Sequence, residues 1–168
     1  MDFQRGLRKY APMEYTVRGL DPAYLRKIAD YFAMQQVPYA RAAVPALPAA
    51  ALQRGAQLAT TGDAARGIPA CASCHGKAFT GVVSGVPGLV GLPYDYLSAQ
   101  LGAWRTHTRA SAAPDCMAKV VGHLSEADIT AVAAWLASRE PPAEVRMSPA
   151  DDIDPPLRCG VLESAAAR

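Results

Sequence analysis

The sequence predicts a small all-α fold, on three observations. Two stretches place apolar residues at helical spacing directly after helix-capping chemistry. Nothing in the chain alternates strand and helix patterns in the manner of a parallel sheet. Fourteen prolines and thirteen glycines in 168 residues interrupt the chain often, which argues against a simple bundle of long helices.

Composition sets the outer limits. The length suits one ordinary domain, or one small domain and part of a second. Hydrophobic residues make up 51% but aromatics only 7%, so the core rests on Ala, Leu and Val or takes apolar bulk from a bound group. Lys and Arg number 17 against 15 Asp and Glu, a net charge of +2 that disfavours a uniformly basic nucleic-acid binder. No run approaches the about 18 apolar residues of a membrane span.

Taken in order, Met1 to Tyr10 lack an apolar stretch and do not read as a secretory signal. Asp21 is an N-cap followed by Pro22 at the first helical position, and Leu25, Ile28, Ala29 and Phe32 then share one helical face. An Ala/Pro-rich linker over 41–48 follows. A helix from Tyr94 to Trp104 aligns Tyr94, Leu97, Leu101 and Trp104. Ser125 with Asp128 forms a capping-box pair ahead of Ile129, Val132, Ala133 and Leu136. Residues 141–168, rich in Pro, Ala, Asp and Glu without a helical stripe, read as an extended tail over a surface.

Two of these segments repeat at a fixed offset of 104. Met13, Val17, Leu20, the helix start and the apolar stripe ending at Ala33 return as Met117, Val121, Leu124, the second helix start and the stripe ending at Ala137. The organisation expected is a partial helical unit over 1–40, the linker, a complete unit over 49–140, and the tail.

The complete unit carries Cys71-Ala72-Ser73-Cys74-His75, the C-x-x-C-H signature of covalent haem attachment. Two thiols on one turn can each add to a porphyrin vinyl group, which places the adjacent imidazole beneath the iron. Three other readings compete: a thioredoxin-like motif, which wants a βαβ setting; a disulfide between Cys71 and Cys74; and a zinc site using Cys71, Cys74, Cys116 and Cys159. In that zinc site the second pair is widely spaced and His75 has no role.

The run Ala64 to Gly76, with Val86-Pro87-Gly88-Leu89, Tyr96 to Leu101 and Met117 to Leu124, resembles class I cytochromes c, most of all the second haem domain of the diheme cytochrome c4 group. The Met13–Ala33 stretch is similar to the end of that group's first domain, without its haem motif. The resemblance implies a class I cytochrome c fold, three to five helices around one covalently bound haem c, with an N-terminal helical remnant. It implies Cys71 and Cys74 as thioether positions, His75 and Met117 as axial ligands, and the Pro87 carbonyl as the acceptor orienting His75. Tyr96, Leu101, Trp104 and Arg109 are expected around the haem, with Arg105 or Arg109 toward its propionates. His107 and His123 compete with Met117 and read instead as surface residues. Met13 has no haem to bind here and reads as a relic packed as core, or as a sign that the polypeptide begins earlier. Haem attachment implies an oxidising, periplasmic or otherwise extracytoplasmic compartment, where Cys116 and Cys159 would pair as a disulfide; two free buried thiols are the alternative.

With both axial positions filled, the expected task is single-electron transfer between redox protein partners rather than catalysis. A second reading is the cytochrome subunit of a periplasmic dehydrogenase complex. A third, less favoured, is a haem enzyme or gas sensor with an open sixth site.

Overall fold

The computed structural model describes residues 2–35, 43–83 and 85–162. The start of the expected linker, residues 41 and 42, and the tail beyond residue 162 lie outside it. The elements are β1 (Arg8–Tyr10), α1 (Ala11–Val17), α2 (Pro22–Ala33), α3 (Ala49–Thr60), α4 (Ala72–His75), α5 (Tyr94–Arg105), β2 (Arg109–Ser111), α6 (Cys116–Gly122) and α7 (Glu126–Ala137). Helices dominate and the core is helix on helix.

Capping chemistry sets the helix starts. The Asp21 side chain accepts from the amides of Ala23 and Tyr24 at 2.7 and 3.3 Å, opening α2. Ser125 and Asp128 form a reciprocal capping box at the start of α7. Adding 104 to the bounds of α2 gives those of α7, and α1 and α6 agree to within one residue. Each of the shorter pair buries one residue, Val17 in α1 and its equivalent Val121 in α6.

The surroundings of the two copies differ. α7 packs on α3 and α5, burying Ile129, Val132, Ala133 and Leu136. α2 buries no residue, and Phe32 is 67% exposed where its equivalent Leu136 is 2% exposed. At the α3–α7 crossing a Cβ on Gly55 would fall inside the Ala131 carbonyl, so only glycine lets these backbones touch.

The N-terminal helical segment also carries a short strand: β1 pairs antiparallel with β2, Arg8 opposite Ser111 and Tyr10 opposite Arg109. Strands of three residues are too short to show the alternation that marks a strand, and the partner lies some hundred residues away. Met13 is not packed as core; it is 38% exposed on α1. No helix among the described residues is long and apolar enough to cross a membrane.

Candidate functional site

The C-x-x-C-H residues make a single turn, with Cys71 as the N-cap of α4. The His75 amide donates to the Cys71 carbonyl at 2.9 Å and the Cys74 amide does so at 3.2 Å, which keeps both thiols and the imidazole on one compact unit. His75 is buried, and its Nδ1 lies 2.8 Å from the Pro87 carbonyl oxygen. A carbonyl can only accept, so Nδ1 carries the proton and Nε2 keeps its lone pair. Burial pushes the His75 pKa below its ordinary value against the opposing effect of the Pro87 bond, so the ring is held neutral. A neutral ring with Nε2 open is what a metal asks of a histidine.

Cys71 and Cys74 are free thiols and are not bonded to each other. Burial raises the Cys71 pKa to about 11 and also raises that of Cys74. A thioredoxin-like motif needs the opposite shift, toward the thiolate. Cys116 and Cys159 are joined to each other as a disulfide with Cα atoms 5.4 Å apart, so they are not available to complete a zinc tetrad with the other pair. Among the described residues no cluster of three or more His, Cys, Asp or Glu side chains could hold a metal ion.

Around α4 the core stays partly open. Cys71, Leu89, Leu92, Tyr94, Leu101, Trp104 and Met117 are half-buried against the central cluster of Leu58, Ile68, Phe79, Leu97, Val121 and Val132. Met117 sits in the first turn of α6, whose N-cap Asp115 accepts from the Ala118 amide at 3.1 Å. Phe79, at a positive φ of 56°, turns the loop after α4; its carbonyl accepts from Leu89 and its ring meets Trp135 edge-on at 5.6 Å.

The residues fit a haem. Ser98 Oγ and Trp104 Nε1 are buried without a hydrogen-bond partner in the structure, and an unpaired buried donor of this kind calls for a ligand. Arg109 stacks over the Trp104 ring at 4.6 Å; desolvation lowers its pKa, against the pull of Tyr96. An indole N–H beside a half-desolvated guanidinium suits a carboxylate such as a porphyrin propionate. Cys71, Cys74 and His75 would hold the ring from one side, with the half-buried Met117 on α6 as a candidate uncharged donor.

Other sequence-singled residues lie elsewhere. Tyr96 is 49% exposed and stands beside Arg109 rather than in the core cluster. Arg105 donates to the Leu124 carbonyl at 3.2 Å, while His107 and His123 are exposed.

Sequence reasoning missed the charged cluster behind the site. Asp128 accepts from Arg54 Nε at 2.9 Å and Arg66 Nη1 at 2.6 Å, and Arg54 also reaches Asp63 at 2.7 Å. Burial by itself would raise the Asp128 pKa, but the Ser125 amide, Arg66 and Arg54 outweigh it and hold the carboxyl far below its usual range. The capping pair was visible in the sequence; arginines 62 and 74 residues away left no signal.

A sequence profile for cytochrome c matches residues 52–140. The chain is 35% identical over 137 residues to a thiosulfate dehydrogenase electron acceptor of Thiomonas intermedia, covering 82% of this chain and 62% of that protein. It therefore spans about three-fifths of the length of such relatives. Among solved structures, a thiosulfate dehydrogenase (TsdBA) from Marichromatium purpuratum superposes with a TM-score of 0.69 at 34% identity, over 82% of this chain and 29% of that one. A cytochrome c4 from Acidithiobacillus ferrooxidans gives 0.67 at 27% identity, over 82% and 79%.

Proposed function

The chain belongs to the cytochrome c family, and on that premise we propose that it is a one-electron carrier. Cys71 and Cys74 would attach its haem c, and His75 and Met117 are the residues that would ligate the iron. One observation carries the reading. His75, on the same turn as both thiols, donates from Nδ1 to the Pro87 carbonyl, so Nε2 keeps a lone pair open to a metal.

A bound haem supplies a one-electron iron couple whose potential follows its axial ligands and surroundings. The chain's own residues do the rest. Pro87 fixes the imidazole tautomer, Met117 presents an uncharged thioether that favours the reduced metal, and Leu89, Leu92, Tyr94 and Leu101 keep water from it. Trp104 and Arg109 receive negative charge at the edge. Residues 49–140 are one cytochrome unit, and residues 1–40 are part of a second, with no C-x-x-C-H run within those forty residues.

The partner is an oxidoreductase that hands over single electrons. Relatives named as thiosulfate dehydrogenase electron acceptors, and a match within a larger thiosulfate dehydrogenase chain, favour a dehydrogenase of that kind over a general shuttle. The Cys116–Cys159 disulfide supports an oxidising compartment such as the periplasm.

Intact mass under denaturing conditions tests the reading. One haem should stay on the protein and be lost in Cys71→Ala/Cys74→Ala. The reduced protein should take up carbon monoxide only slowly, and replacing Met117 by alanine should make uptake fast. A colourless or zinc-bound protein overturns the proposal, and fast carbon monoxide uptake by the untreated reduced form overturns the Met117 assignment.

A further inference from the structure

The tail does more than lie over a surface. After α7 the chain runs mostly exposed from residue 139 to residue 158 and then becomes buried at Cys159 and Gly160. It supplies no side chain to the central apolar cluster. What it does supply is two attachments, each next to one of the residues assigned to the metal.

The first attachment is at Ser148. Its amide donates to the Gly81 carbonyl at 2.8 Å, and its carbonyl accepts from Val83 at 3.0 Å. The Gly81 amide in turn donates to the His75 carbonyl at 3.1 Å, so this anchor lies one hydrogen bond from the proximal histidine. The second attachment is the disulfide between Cys159 and Cys116, the residue immediately before Met117. Beside it the Gly160 amide donates to the Pro114 carbonyl at 3.0 Å. A Cβ on Gly160 would overlap the Ala113 carbonyl, so the tail lies flush on the loop that leads into α6.

Between the anchors run a tight turn over Ala150–Asp152 and the pair Pro155-Pro156, which leave little slack. Met117 belongs to a helix of seven residues that follows a loop; Asp115 caps that helix and the buried Val121 seats it, and the disulfide adds a covalent tie one residue from the thioether. We propose that residues 148–160 are a strap fastening the loop after α4 to the start of α6, and that its disulfide keeps Met117 on the iron. Cys116 and Cys159 are positioning residues. The inference rests on the His75/Met117 assignment made above.

The test uses the holoprotein. The disulfide is reduced, both thiols are alkylated, and the iron is reoxidised; the thioether-bound Cys71 and Cys74 are spared. A Cys116→Ala/Cys159→Ala variant serves as an independent route to the same cut. Both should retain covalent haem but lose most of the far-red band of a ferric haem with sulfur ligation. Carbon monoxide enters only the population with Met117 detached, so its uptake by the reduced form should quicken about tenfold or more. Retention of both the band and the slow uptake after either cut refutes the strap and leaves the ligand assignment standing. A missing band in the untreated protein, with fast uptake, refutes that assignment and the strap with it.

Discussion

Replacing Asp128 by asparagine keeps the shape of the side chain and removes its charge, so it isolates what the carboxylate does. That group is 5% exposed and accepts from four donors: Arg54 Nε, Arg66 Nη1, the Ser125 amide and the Ser125 hydroxyl, all between 2.6 and 3.0 Å. An amide in its place can still accept through its oxygen, but its NH2 then faces a guanidinium. Loss of a helix cap costs about 1 kcal/mol. Each charge-assisted bond is worth about 1.5–3 kcal/mol when desolvated. The Arg54 and Arg66 side chains are 26% and 42% exposed and recover water, so we halve that contribution. The sum is about 3 kcal/mol, or a fall of about 6–12 °C in Tm for a chain of this size. The sign with pH follows from the depressed pKa. The wild-type advantage is complete above the unfolded value of about 3.9 and fades as pH drops toward the much lower folded value. Thermal melts of wild type and Asp128→Asn from pH 7 to pH 3 should show a constant gap that narrows only below about pH 4. A gap under about 1 kcal/mol at neutral pH, or one that widens on acidification, would refute this account.

Gly55→Ala should destabilise by about 1–3 kcal/mol, because the new methyl meets backbone at Ala131 and α3 must move off α7; denaturant unfolding reads it directly. The repeat offers a paired test at equivalent positions. Leu136→Ala should cost about 2–5 kcal/mol and Phe32→Ala less than about 0.5, measured in the same melts, since one side chain is buried and the other is solvated.

What the sequence made legible was local. The caps at Asp21 and Ser125, the α5 stripe and the 104-residue repeat all rest on neighbours within a few positions, and they reappear in the structure. The C-x-x-C-H run is local for the same reason. What stayed hidden was set by distant partners. The β1–β2 pairing, the Arg54 and Arg66 bonds to Asp128 and the Ser148 anchor each join segments more than sixty residues apart. Nothing in Arg66 itself says whether its guanidinium meets solvent or the cap of a remote helix. Met13 shows the converse risk. The repeat gave its position correctly, but a repeat transfers local shape and not surroundings, and α1 lacks the neighbours that half-bury Met117.

The scarcity of aromatics acquires a physical meaning from this arrangement. The largest fully buried side chains are only Leu58, Val82 and Val121, while Leu89, Leu92, Tyr94, Leu101 and Trp104 stop half-buried around them. A chain that leaves so much apolar surface short of burial needs one more apolar body to finish its core, and the porphyrin of a cytochrome c is such a body. The helical back of the molecule can therefore be rigid without it: α3 and α7 touch through Gly55, and Asp128 ties α7 to α3 and to the Ala64–Arg66 turn that leads into Cys71. The front is loop, and loops hold a position only when tied. His75 is tied by Pro87. Met117 has no comparable bond from its own side chain, and the chain has instead joined the preceding residue covalently to its tail. An electron carrier loses rate whenever its metal site rearranges between oxidation states, so a covalent restraint one residue from the proposed thioether ligand adds to the Asp115 cap and the buried Val121 that already seat α6.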